Sequence, residues 1–248
     1  MAARSLLKTV WLVGSGTEPD VLTDQHDCHA YLIHDGYGGL LIDCGTGLGA
    51  AAWLSRVSET CDPRSVAGVL ITHYHADHAG GAADAREAGF SIWASEITAD
   101  ALKRGDEDRT SLARARAIGI YPPDYALQPT PVDGFLANGA RVRFGRSALV
   151  ALDAPGHCDG HMVFLARCAE GNVLFSGDCV FSDGRVGIQA LPDCRLDRYA
   201  ETLIDLDARD VDVLLPGHGP FVLSDAKAGI RRAADTFRRL VPPPNLLS

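Results

Sequence analysis

The chain of 248 residues is 46% hydrophobic and 22% charged, with a formal net charge of −9. That balance excludes a disordered polar chain, and an acidic surface repels a phosphate backbone, which argues against broad nucleic-acid binding. Seven cysteines with no C-x-x-C pair, in a chain long enough to build a core, exclude a disulfide scaffold and fit free thiols in a reducing compartment.

Strands and helices alternate along the chain. Residues 9–13, 30–34 and 39–43 are β-rich runs broken by glycines. Residues 48–57 carry helical spacing of apolar residues, which Cys61-Asp62-Pro63 stops. An apolar strand over 66–72 leads into a histidine cluster, followed by a short helix at 81–88 and a strand at 90–94. Ser95 is placed to cap the next helix. Over 104–131 charges cluster and Pro122, Pro123, Pro129 and Pro131 follow, which reads as a helical and loop insertion within a single domain of residues 1–248. Hairpins are expected at 141–144 with 149–152 and at 162–166 with 173–175. A helix at 196–206, a strand at 211–215 and a last helix at 225–240 complete the chain. Arg231, Arg232, Arg238 and Arg239 share one face of that last helix and read as a solvated face. No apolar run reaches the length of a membrane span. The stretch 10–13 behind Arg4 and Lys8 is too short for a signal-peptide core, so the expected location is cytoplasmic.

Four short segments concentrate metal-ligand chemistry: Thr72-His73-Tyr74-His75-Ala76-Asp77-His78, Pro155-Gly156-His157, Gly177-Asp178 and Pro216-Gly217-His218-Gly219. Each follows or ends a strand-like run. Alternation in an extended segment turns His73 and His75 the same way and Tyr74 the other, into packing. Gly80 and Gly81 allow a tight turn and a close backbone approach. Imidazoles and carboxylates are the ligand set of zinc, with iron and manganese as alternatives. Three histidines make one site, two histidines and an aspartate another, and Asp178 can bridge them through its two oxygens. Two ions so placed hold a hydroxide at neutral pH and stabilise an oxyanion.

With these motifs the chain resembles the metallo-β-lactamase-fold superfamily, whose H-x-H-x-D-H pattern stands here as His73, His75, Asp77 and His78, with His157, Asp178 and His218 following in order. The resemblance covers about residues 9–240 and implies an α/β fold, a four-layer αββα sandwich with metals at one edge. It implies that His73, His75 and His157 hold the first ion, that Asp77, His78 and His218 hold the second, and that Asp178 bridges them. It further implies that Asp43 is the buried aspartate behind the ligands. His161, in a Pro-Gly-His-x-x-Gly-His pattern similar to that of glyoxalase II, is expected to support a ligand. Phe181 stands where the acyl-homoserine lactonases carry a tyrosine.

The expectation is a dinuclear zinc hydrolase that cleaves an ester-like carbonyl bond (thioester, lactone or carboxylic ester) by a metal-bridging hydroxide. Asp77 and Asp178 are its catalytic carboxylates. A mononuclear iron enzyme like the persulfide dioxygenases, or a phosphodiesterase or ribonuclease of the same superfamily, is the alternative. The partner is a small-molecule substrate, with no nucleic acid and no membrane, and a homodimer is open. Substrate contacts are expected from the loops at 14–28, 104–131 and 183–194, through His26, Tyr121, Tyr125, Phe181, Ile188 and Leu191.

Overall fold

The computed structural model describes residues 2–246. The chain divides into two compact units. The first runs through Leu136 and takes in Arg143–Ser147. The second comprises Ala137–Val142 and the chain from Ala148 onward.

The first unit holds β1 (Arg4–Leu7), β2 (Val10–Gly14), β3 (Ala30–His34), β4 (Gly39–Ile42), α1 (Ala50–Thr60), β5 (Val66–Leu70), α2 (Ala76–Ala79), α3 (Ala82–Glu87), β6 (Ser91–Ala94), α4 (Glu96–Arg104), α5 (Leu112–Ala117) and β7 (Gly134–Phe135). Its seven-stranded sheet keeps chain order from β1 to β7. The first four strands form an antiparallel meander with Tyr31 opposite Ile42 and Trp11 opposite Leu32. From β4 onward each strand is parallel to the last, because a helical crossover separates them. Trp53 and Val57 share one face of α1 at i and i+4 and are buried with Leu32, Leu41 and Val69. Each such burial contributes about 1.5–3 kcal/mol. The Ser95 side chain accepts from Thr98 N–H and caps α4, and Gly105 in the left-handed region (φ +58°) ends it.

The second unit's sheet and helices are β8 (Arg141–Phe144) and β9 (Ser147–Asp153), whose residues from Arg143 to Ser147 count with the first unit, then β10 (Met162–Cys168), β11 (Gly171–Gly177), α6 (Leu196–Asp207), β12 (Val213–Pro216) and α7 (Ala226–Arg238). Its sheet order is β12-β11-β10-β9-β8. β10 is antiparallel to both β9 and β11, and β12 lies parallel to β11. Strands β9, β11 and β12 therefore all run the same way and end on the same edge. Tyr199, Leu203 and Leu206 of α6 pack with Ile230, Ala233 and Phe237 of α7 in one buried cluster.

Several sequence expectations change in detail. Strand β1 and the two-residue β7 lack the alternation that would announce them. The strand expected to run to Thr72 ends at Leu70, and a four-residue helix begins at Ala76. Gly80 and Gly81 form the turn between α2 and α3, with φ values of −62° and −77°. They also permit close approach: a Cβ at Gly81 would lie 2.2 Å from the Cys44 carbonyl oxygen, and one at Gly80 2.3 Å from the Tyr125 hydroxyl. The C-terminal arginine face is occupied by ion pairs, Arg231 and Arg238 with Asp207 and Arg232 with Asp183. All seven cysteines are free thiols. No helix among the described residues is long and apolar enough to cross a membrane.

One buried cation shapes the 14–28 loop. Arg56 on α1 is 3% exposed. Its guanidinium donates to the carbonyls of Val13 (2.9 Å), Val21 (3.0 Å) and Leu22 (2.9 Å). Asp27 ties the far end of the loop, accepting from Thr46 N–H, Thr46 Oγ1 and Thr23 Oγ1. Replacing Arg56 by Met keeps the apolar stem and takes the donor from three carbonyls, those of Val13 and Val21 on buried residues. The expected result is a loss of about 2–4 kcal/mol in urea unfolding, with faster exchange at the Val21 and Thr23 amides, which bond to Glu18 and Ser15 within the loop. Unchanged exchange at those amides would show that Arg56 does not hold the loop.

Candidate metal centre

In the first unit the parallel strands β4 and β5 end side by side. The Asp43 N–H continues the ladder to the Leu70 carbonyl at 3.0 Å. Residues that follow the carboxyl ends of parallel strands gather at one edge, where open α/β sheets hold ligands. Asp43 is 3% exposed and sits in the left-handed region at φ +59°. Its carboxylate accepts from Thr72 N–H (2.7 Å), Thr72 Oγ1 (2.8 Å) and His78 Nδ1 (2.8 Å).

These bonds decide tautomers. His78 spends its Nδ1 proton on Asp43, so its Nε2 presents a lone pair. Thr72 gives its one hydroxyl proton to Asp43 and so accepts from His73 Nδ1 at 3.0 Å. The Nε2 of His73 then also presents a lone pair, 3.0 Å from His75 Nδ1. Asp77, in the first turn of α2, places Oδ2 3.6 Å from His78 Nε2. The Tyr121 hydroxyl donates to its other oxygen, Oδ1, at 3.0 Å. Burial first, and then the Asp77 charge, raise the Tyr121 pKa well above its ordinary value, so the phenol keeps the proton it donates. The Cys28 thiol lies near Asp43 and His78. Burial pushes its pKa up to about 12, so it stands as a neutral thiol.

In the second unit the edge shared by β9, β11 and β12 carries His157, Asp178 and His218. The Gly217 N–H bonds to the Gly177 carbonyl at 2.8 Å and holds the last two segments together. His157 Nδ1 donates to the Gly187 carbonyl at 2.6 Å, so its Nε2 presents a lone pair. That Nε2 is 3.6 Å from Asp178 Oδ2, and His218 Nε2 is 3.7 Å from Asp178 Oδ1. The two oxygens of one carboxylate thus face two different imidazoles. His161 does not offer Nε2 outward, because it accepts the Asp178 backbone N–H there at 3.1 Å.

The donor sets fit divalent cations. Two donors about 2.1 Å from one tetrahedral zinc stand about 3.4 Å apart. The four donor pairs within the units are 3.0, 3.6, 3.6 and 3.7 Å apart. Each imidazole whose tautomer can be read has its other nitrogen fixed by a carboxylate, hydroxyl or carbonyl, as metal-ligating histidines do.

The substrate-contact candidates fare differently. Phe181 is 1% exposed and has no surface to offer a substrate. The reason is its place in the buried run Cys179-Val180-Phe181 that follows Asp178. Tyr121 and Tyr125 are each 8% exposed and stack on one another at 5.3 Å. Tyr125 donates to the Thr46 carbonyl at 2.8 Å, so both phenols hold the first unit's edge in place and present no apolar wall. His26 bonds Asp24 through Nδ1 at 2.6 Å, with its ring 6.1 Å from that of Tyr121. Ile188 packs against the second unit's core, and Leu191 is half-buried. Sequence reading missed the roles of Thr72, Tyr121 and Gly187. Only Thr72 carried a signal, as a hydroxyl directly before the first ligand.

The comparisons with known proteins supply the family and the fold. The family profile described as the metallo-beta-lactamase superfamily matches residues 23–218. An atrochrysone carboxyl ACP thioesterase of Paecilomyces divaricatus is 30% identical over 198 residues, 78% of this chain and 51% of that protein. A thioesterase of Emericella nidulans is 30% identical over 198 residues, 79% of this chain and 47% of that protein. The chain thus spans about half the length of these curated relatives. Among solved structures, a metallo-beta-lactamase variant from Cronobacter sakazakii superposes with a TM-score of 0.73 at 19% identity, covering 97% of this chain and 96% of that one. The subclass B3 enzyme of Bradyrhizobium japonicum gives 0.72 at 21% identity, covering 97% and 92%. At such identities the likeness speaks for the fold, while the family profile speaks for descent: this chain belongs to the metallo-β-lactamase superfamily and has its fold.

Proposed function

We propose that the chain is a dinuclear zinc hydrolase acting on an acyl thioester, the acyl group being carried on a pantetheine-type thiol. In this reading the first ion is held by His73, His75 and His157 and the second by Asp77, His78 and His218, with Asp178 shared between them. The observation that carries the metal reading is Asp178, whose two oxygens face His157 and His218 separately at 3.6 and 3.7 Å. The thioester reading is supported by the thioesterase names of relatives in fungi.

A bound zinc pair would supply Lewis acidity toward the carbonyl oxygen and lower the pKa of water toward neutrality. The chain's own residues do the rest. Asp43 and Thr72 keep His73 and His78 in the tautomer that offers Nε2. Tyr121 fixes the Asp77 carboxylate by one oxygen and so sets the direction of the other. The Gly187 carbonyl fixes His157 in the same way. The net reaction adds water across the acyl–sulfur bond and gives a carboxylate, a thiol and one proton released to solvent. That asks little of an acid, because a thiolate leaves without prior protonation.

Two outcomes are expected. Asp178→Ala should lower the metal content of the purified protein from about two zinc ions per chain to one or fewer, and reduce thioester turnover at least 100-fold. Two bound zinc ions and near-native turnover in that variant would refute the paired-metal reading. Asp43→Asn presents an amide N–H where His78 needs an acceptor and should weaken zinc binding about 10–100-fold in chelator competition, with the chain still folded by circular dichroism. Substrate class is read by comparing an acyl-pantetheine thioester with a lactone, an aryl phosphodiester and a β-lactam on the zinc-loaded protein. The thioester should be turned over fastest, and a higher kcat/KM on any of the other three would displace the thioester reading.

A further inference from the structure

We propose that Tyr199 is a positioning residue that locks the backbone of Asp178 to the group orienting His157, so that a single phenol sets two metal ligands of the second unit. The inference rests on the metal reading above.

Tyr199 is fully buried on α6, with its ring stacked on Phe237 at 6.0 Å. A phenylalanine would fill that space equally well, so packing does not explain the hydroxyl. A buried hydroxyl costs free energy unless it is bonded. This one lies 2.8 Å from the Asp178 carbonyl and 2.7 Å from the Cys179 carbonyl, and it accepts the Gly187 N–H at 3.0 Å. Its one proton is shared between the two carbonyls, and its lone pair serves Gly187.

All three partners belong to segments that carry the site. Gly187 is the residue whose carbonyl accepts from His157 Nδ1. The chain of bonds therefore runs from the His157 ring through the Gly187 peptide to the phenol, and from the phenol to the backbone of Asp178. The Asp178 N–H is held by His161. With Tyr199 at the carbonyl, both ends of that residue's backbone are fixed, and the carboxylate has little freedom beyond its own side-chain torsions.

The ring adds a third constraint. Gly156, directly before His157, has φ +145°, and a Cβ there would meet Tyr199 Cα and Cγ at 2.6 Å. The ring thus sits flush on the backbone that delivers His157. Gly187 is equally confined, since a Cβ would lie 2.9 Å from His157 Nδ1 and 3.0 Å from the Asp178 carbonyl oxygen. Nothing in the sequence announces this role, because Tyr199 lies 21 residues beyond Asp178 and reads as one apolar position of an amphipathic helix.

The test separates positioning from general stability. Zinc affinity is measured by chelator competition, and the cobalt-substituted protein is followed by its visible absorption, for wild type, Tyr199→Phe and Leu203→Ala. Leu203 is fully buried in the same apolar cluster as Tyr199 and carries no polar group. Tyr199→Phe should fold, bind zinc about 10–100-fold more weakly, and shift the cobalt bands, with a lower kcat at nearly unchanged KM. Leu203→Ala should lose thermal stability and keep zinc affinity within about twofold. Gly187→Ala, which presses on the same link from its other end, should reproduce the affinity loss and serves if Tyr199→Phe does not fold. Zinc affinity and cobalt bands unchanged in Tyr199→Phe would overturn the proposal, as would an equal affinity loss in Leu203→Ala. A wild-type chain that takes up no cation would overturn the metal reading itself.

Discussion

The first unit's donors depend on a single carboxylate. Asp43 accepts three hydrogen bonds, two from Thr72 and one from His78. By taking the Thr72 hydroxyl proton it also dictates what His73 can do. An imidazole in the wrong tautomer shows a proton where a cation needs a lone pair, so this one residue decides whether two histidines can be ligands at all. Its backbone sits at φ +59°, a region that aspartate tolerates better than most residues, because its short polar side chain can bond locally. The strain is small and is offset by the bonds made to Thr72 and His78.

Both units solve the same placement problem with parallel strand ends. In the first, β4 and β5 leave Asp43 and Thr72 as neighbours. In the second, β11 and β12 leave Asp178 and His218 as neighbours, and β9 delivers His157 to the same edge. The hydrogen-bonded ladder fixes the backbone, and the loop just beyond it carries the donor. The donors therefore inherit the rigidity of the sheets although none of them lies within a strand.

How much of this was legible in the sequence depended on whether the signal was local. Strand β3, the hairpin of β10 and β11, and the Ser95 cap follow from apolar runs and a capping side chain, and they appear within a residue or two of expectation. The His-x-His spacing was legible, yet not for the reason alternation gave. The strand stops at Leu70, and irregular backbone over 71–75 brings His73 Nε2 and His75 Nδ1 together. The supporting partners were not legible, because Tyr121, Gly187 and Tyr199 are 44, 30 and 21 residues from the groups they hold. Phe181 misled for a related cause: adjacency to a ligand in sequence says nothing about which way a ring turns, and this ring turns into the core.

The segment between α4 and β7 looks in sequence like an accessory that could be exchanged at will. Its two stacked tyrosines say otherwise, since one grips the carboxylate of Asp77 and the other the peptide of Thr46, while Arg116 staples the loop to Glu107 and to the Tyr125 carbonyl. Diversification of this region during evolution is therefore constrained from within. New side chains can be grafted onto its exposed turns, but a wholesale transplant would unfasten the Asp77 carboxylate, a proposed metal ligand, at the same moment as it altered the loop's surface. Change in this loop is tethered to the upkeep of the carboxylate it holds.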